Sequence, residues 1–265
     1  MRNIWAVQRP MPRTCTNRSI TSSSEHRPIV GKASVPSSAF WVRSSTYDVF
    51  CDDSPTDRSA AALTGCSVIK LKLGGADGRD VERVAAVRAA RPDATLYVDA
   101  NAGWTADEAI REIERMVALG VTLVEQPVAK GDYEGMGRVQ AACAVPVVAD
   151  ESVQTMADVE RLAAAGVGGI NLKLMKVGGL APGLAMLRRA RELGLGIMLG
   201  CMVETSLGAT AMAHLMGLAD WLDLDAPWLI ANDPFDGLTY DAAGRVHVPD
   251  RPGIGVIRRE ELATN

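Results

Sequence analysis

The sequence predicts an α/β fold, a barrel of eight parallel strands with helices around the outside. Three observations lead there. From about residue 46, short β-branched runs alternate with Ala-, Leu- and Arg-rich helical stretches, the pattern of parallel strands joined by crossover helices. The runs number eight, and eight sequential parallel strands close more naturally into a barrel than into an open sheet. A doubly wound sheet would want a glycine-rich nucleotide loop after its first strand. Gly74-Gly75-Ala76-Asp77-Gly78 does not fit G-x-G-x-x-G.

In order, the expected strands are Thr46–Cys51, Ser67–Leu73, Thr95–Ala100, Val121–Gln126, Val145–Asp150, Gly169–Lys173, Gly196–Gly200 and Trp221–Leu224. The first is a poor strand, followed by a polar turn and a short helix over Ser54–Leu63. Periodic helices are expected at Arg79–Ala90, Ala106–Leu119, Met156–Ala165 and Ala181–Leu193. Gly120, Gly166 and Gly194 follow three of them as stop signals. His214 is expected on an apolar helix over Ala211–Leu218, packed or capping rather than catalytic.

Composition narrows the function. The chain has 265 residues, 48% hydrophobic and 23% charged, with a net charge of −4. That field does not suit nucleic acid, and no apolar run reaches membrane-spanning length. Five scattered cysteines without CxxC spacing read as reduced thiols of a cytoplasmic protein. Residues 1–44 hold six Arg, eight Ser and four Pro but one acid, Glu25, and are expected to be poorly structured. The barrel is expected over 45–229, and 230–265 as a C-terminal segment at its rim.

The charged residues are placed where a barrel enzyme needs them. Val68-Ile69-Lys70-Leu71-Lys72 puts both lysines on one strand face, opposite Ile69 and Leu71. Lysines in water on a half-exposed strand would be the plainest reading of that run alone. Yet Lys72, Asp99, Glu125, Asp150 and Lys173 each end a strand, at steps of 27, 26, 25 and 23 residues, near one strand–helix unit each. Barrel enzymes build their sites on that face. Buried charges must be paired or bound to metal, and three neighbouring carboxylates repel one another. Asp99, Glu125 and Asp150 are therefore expected to hold a hard divalent cation, Mg²⁺ by preference, with Mn²⁺ able to substitute. Lys70 beside Lys72 should lower the pKa of Lys72 and make it a general base. Lys173, across the metal, would return the proton. Lys176 is expected in the following loop, away from that role.

Taken together, Lys70-Leu71-Lys72, Asp99-Ala100-Asn101-Ala102-Gly103-Trp104, Glu125-Gln126-Pro127, Asp150-Glu151-Ser152 and Asn171-Leu172-Lys173-Leu174-Met175-Lys176-Val177-Gly178-Gly179 resemble the enolase superfamily and its muconate-lactonizing subgroup. The resemblance covers roughly residues 46–257 and rests on the ordered set rather than on any one motif. It implies a (β/α)7β barrel and one Mg²⁺ per subunit on Asp99, Glu125 and Asp150. It also implies Lys72 and Lys173 as the acid/base pair, Lys70 in support, and Asn101 and Glu151 behind the ligands. The implied chemistry is removal of the proton α to a carboxylate.

Asp223-Leu224-Asp225 looks like the D-x-D element with which dipeptide epimerases hold a dipeptide's ammonium group, and Cys201 and Met202 lie in a segment similar to that group's pattern. The expected substrate is thus a dipeptide of the L-Ala-D/L-Glu type. An o-succinylbenzoate synthase or cycloisomerase would share the lysines and metal but gives no reason for Asp223 and Asp225. Homo-oligomers are compatible with the resemblance. Family members carry an N-terminal α+β cap before the barrel, whereas only about 45 residues precede the first strand here. A truncated or absent cap, and with it an inactive remnant, is the further expectation.

Overall fold

The computed structural model of the protein describes residues 43–44, 47–50 and 65–259. Of residues 1–44, expected to be poorly structured, Arg43 and Ser44 instead form a paired strand; the rest of that segment and the helix over 54–63 lie outside the described residues. Eight parallel strands run in sequence order through one sheet. They are β1 Tyr47–Phe50, β2 Val68–Lys72, β3 Thr95–Asp99, β4 Val121–Glu125, β5 Val147–Ala149, β6 Gly169–Leu172, β7 Gly196–Gly200 and β8 Trp221–Asp223. Helices α1 Asp80–Ala90, α2 Ala106–Ala118, α3 Tyr133–Ala142, α4 Met156–Ala164, α5 Leu174–Val177, α6 Leu180–Glu192, α7 Ser206–Ala213 and α8 Ala226–Leu229 connect or follow them.

The sheet curls upon itself. Lys70 on β2 donates hydrogen bonds to Asp223 on β8 and, at 3.2 Å, to Glu125 on β4. In a flat sheet, strands two and eight would stand roughly 29 Å apart at ~4.8 Å per neighbour. Among the described residues no ladder joins β1 to β8, so the hydrogen-bonded ring is open at that seam.

Alternation along each strand divides the apolar residues into two cores. Ile69, Leu71, Val98, Val124, Ile170, Leu172, Leu199 and Leu222 face outward into the large core shared with the helices. Leu123, Val148 and Met198 form a second, smaller cluster, with Tyr97 and Trp221 against it, which plugs the bore. On β3, β4, β5 and β8 the inward face thus carries an apolar residue low in the bore, Tyr97, Leu123, Val148 and Trp221, and an acid at or just past its C-terminal end, Asp99, Glu125, Asp150 and Asp223.

Helix boundaries follow local chemistry. Thr105 and Thr155 cap α2 and α4, each in a reciprocal capping box, with Glu108 and Asp158. Gly120, Gly166 and Gly194 take left-handed φ after α2, α4 and α6, as stop signals should. The apolar helix expected over Ala211–Leu218 lies earlier, at Ser206–Ala213, with a short 3-10 turn at Met216–Leu218, so His214 is the helix's C-cap, bonded to the Ile254 carbonyl at 3.1 Å. Beyond the barrel, Arg43–Ser44, Thr239–Tyr240 and Arg245–His247 form a small antiparallel sheet. No helix among the described residues is long and apolar enough to cross a membrane.

Candidate active site

Strand register sets the height of the charges. Lys72 pairs with Asp99 across β2/β3, and Asp99 with Glu125 across β3/β4. Asp150 directly follows Ala149, the last paired residue of β5. Asn171 and Lys173 share one face of β6, and Gly200 of β7 pairs with Asp223 of β8. Lys70, Asp99, Glu125 and Asn171 are fully buried, and Asp150, Lys173, Asp223 and Asp225 nearly so.

These groups pair by charge. Lys70 bridges Glu125 and Asp223 and lies 3.9 Å from Asp99. Lys72 bonds Asp99 at 2.8 Å, and Lys173 bonds Asp150 at 2.8 Å. Asn171 donates to Glu125 at 2.7 Å. Lys176 corrects its expected position. It lies within the single turn of α5, and its ammonium folds back onto an Asp150 carboxylate oxygen, the Asp150 carbonyl at 2.6 Å and the Asn171 carbonyl at 3.2 Å. The tight turn after β6 brings residue 176 back over the strand end, which spacing along an extended chain does not reveal.

The carboxylates also differ from expectation. Among the described residues no three His, Cys, Asp or Glu side chains are arranged to hold a metal ion; Asp99, Glu125 and Asp150 each turn toward an ammonium group instead. The electrostatics still set them close together. Burial first, then the charge of Asp99, pushes the Glu125 carboxyl up to about 8, and Asp150 adds to the rise. Burial works to raise the Asp150 carboxyl, but Lys176 and Lys173 outweigh it and hold it below the usual range. Burial lowers Lys176, while for Lys173 the carboxylates of Asp150 and Glu125 overcome burial and raise it. Three oxygen-donor carboxylates repelling one another in a dry site fit a hard divalent cation.

A cleft of about 220 Å³ opens above these groups, lined by Lys72, Asn101, Lys173, Cys201, Met202, Val203, Asp223, Asp225 and Leu229. Lys72 and Lys173, at the ends of β2 and β6, and Asp223 and Asp225, at the end of β8, therefore face one space. Cys201 lies 3.9 Å from an Asp225 oxygen, and burial raises its thiol well above its ordinary range. Met202 and Val203 are exposed at the rim. Asn101 bonds Glu151 at 3.5 Å beside the cleft.

Residues 56–262 match the family described as enolase C-terminal domain-like. The chain belongs to that family. Like its members it carries the α/β barrel of the enolase superfamily. It is 39% identical over 189 residues to the L-Ala-D/L-amino acid epimerase of a Maribacter species, covering 71% of this chain and 55% of that one. With the L-Ala-D/L-Glu epimerase of Bacillus subtilis it shares 37% identity over 218 residues, 77% of this chain and 59% of the relative. The dipeptide epimerase of Cytophaga hutchinsonii, solved with Mg and D-Ala-L-Val, superposes with a TM-score of 0.79 at 30% identity, covering 83% of this chain and 62% of that one. The chain thus spans between half and two thirds of the length of these enolase-family relatives.

Three residues in this enolase-type barrel escaped sequence reasoning. Asn171 bonds Glu125, Lys176 grips Asp150, and Tyr240 donates from outside the barrel to the Leu224 carbonyl between the two acids of β8. Asn171 had a detectable signal, since it shares the inward face of Lys173. Tyr240 had none, being 16 residues away in another sheet.

Proposed function

We propose that the chain epimerises a dipeptide of the L-Ala-D/L-Glu type by removing and returning the proton α to its carboxylate. The observation that carries this reading is that Lys72, Lys173, Asp223 and Asp225 line one cleft. Lys72 takes the α proton on its Nζ, and Lys173, from the strand set across the bore, delivers a proton to the opposite face. Lys70 stays buried as counter-ion to Glu125 and Asp223. Asp225, with Asp223 beside it, receives the dipeptide's ammonium group, while Cys201 and Met202 border the bound peptide. Asp99, Glu125 and Asp150 would hold one Mg²⁺, or Mn²⁺ in its place. When bound, that ion supplies the positive charge that makes so weak a carbon acid ionisable. Asn101 and Glu151 support the ligands from behind, and the reduced thiols suit a cytoplasmic setting.

Support comes from the named activities of the relatives and from the paired acids of β8, which a cycloisomerase would not need. The test is α-proton exchange in D₂O by the full chain with Mg²⁺ and a panel of dipeptides led by L-Ala-L-Glu. Exchange with inversion is expected. Absence of exchange across the panel would sink the proposal in favour of an inactive remnant.

A further inference from the structure

We infer that Gln126 is the positioning residue that locks Asp150 in place for metal binding; this rests on the metal site proposed above. Gln126 follows Glu125 at the end of β4 and is fully buried. Its side-chain amide uses its polar atoms on the neighbouring loop and on its own chain at Val128. Oε1 accepts from the backbone N–H of Asp150 at 2.9 Å and of Ser152 at 3.1 Å. Nε2 donates to the Ser152 hydroxyl at 2.8 Å and the Val128 carbonyl at 2.9 Å. The backbone is bent to allow this, because Gln126 has φ of 34°, in the left-handed region disfavoured for a residue with a Cβ.

The effect is to tie the chain just after Glu125 to the chain on both sides of Glu151, with Asp150 at the near end of the tie. Asp150 is then gripped through its backbone N–H by Gln126 and through its carbonyl by Lys176. A carboxylate whose Cα is fixed this way can trade a lysine for another cation without moving its strand. Groups of this kind, one bond removed from the ligands, set metal affinity by 10–100-fold.

A second glutamine provides the control. Gln140 clamps β5 at its opposite end, with Oε1 accepting from Val147 N at 2.7 Å and Nε2 donating to the Val145 carbonyl at 3.2 Å. It performs the same structural task far from Asp150's side of the strand.

The experiment titrates Mn²⁺ into the full chain and follows free Mn²⁺ by electron paramagnetic resonance, for the parent, Gln126→Met and Gln140→Met, below the melting point of each. We expect both variants to melt earlier. Only Gln126→Met should bind Mn²⁺ more weakly, by about 10–100-fold, with Gln140→Met within about twofold of the parent. Equal affinity in the parent and Gln126→Met, or equal losses in both variants, would overturn the inference while leaving the metal site standing. A parent that binds no Mn²⁺ would remove both. Should Gln126→Met not fold, Gln126→Asn carries the test, since it keeps a neutral amide but is one methylene too short to hold the Asp150 N–H as Gln126 does; weaker Mn²⁺ binding than the parent supports the inference, and parent-like affinity overturns it.

Discussion

Lys72 and Lys173 come from opposite sides of the bore, so each should serve one face of the substrate carbon. Replacing Lys72 with Met is expected to abolish inversion yet leave exchange of the α proton in D₂O with one epimer, and Lys173→Met should do the same with the other epimer. Each loss should be on the order of 10²–10⁴-fold or more. Exchange of both epimers by either variant would contradict the assignment. The two acids of β8 separate as well. Asp223 is one of two carboxylates that the buried Lys70 bridges, Glu125 being the other, so Asp223→Asn should cost about 1–3 kcal/mol of stability by removing a charged hydrogen bond, read as a lowered melting point. Asp225 borders the cleft, and Asp225→Asn should raise KM at least about tenfold for free dipeptides while sparing N-acetylated ones, a difference worth roughly 1.4 kcal/mol. Cys66 gives a pH prediction. Burial first, against the nearby Arg91 charge, pushes its thiol up to about 11 from 9.0. The folded state keeps this proton longer than the unfolded one. Stability is therefore unaffected below pH 9 and falls as pH rises from about 9 to 11, by at most about 3 kcal/mol. Cys66→Ala should flatten that part of a denaturation-against-pH curve.

At the scale of elements, α1 and α2 are stitched together away from the site. The Arg88 guanidinium, near the end of α1, donates to the carbonyls of Leu119 at 2.9 Å, Ala94 at 2.7 Å and Gly120 at 3.2 Å. Arg88→Met should remove about 2 kcal/mol, roughly 4–8 °C in melting temperature for a domain of this size, with kcat and KM unchanged; a change in KM would mean that the two ends of the barrel are coupled. The strands were legible because inward and outward positions alternate, and because β-branched runs such as Val121–Glu125 leave little choice of element. The inward charges were legible for the same reason, as any polar residue at an inward strand end must enter the site. Helix α3, Tyr133–Ala142, was not read, since Gly135 and Gly137 lower its propensity and only its Asp132 cap and packing hold it. Lys176 was misplaced because a one-turn helix reverses the direction of its side chain. Gln126 stood inside a recognised motif, but its role lies in hydrogen bonds to a segment 24 to 26 residues on.

Over the whole molecule, the seven strands β2 to β8 each bring an apolar residue to the plug or the outer core, and several bring a charged one to the mouth. The result is a dense set of buried ions held by mutual pairing, with four lysines against three carboxylates of β3, β4 and β5 and the acid of β8. Such pairing is costly to bury and of little net worth to stability. The most direct measurement is a crystal structure of the full chain with Mg²⁺ and a dipeptide. The account predicts oxygens of Asp99, Glu125 and Asp150 at about 2.0–2.1 Å from one ion, with the ammonium groups of Lys72 and Lys173 on opposite faces of the substrate α carbon. Carboxylates still bound to separate lysines with the ion elsewhere, or both lysines on one face, would contradict it.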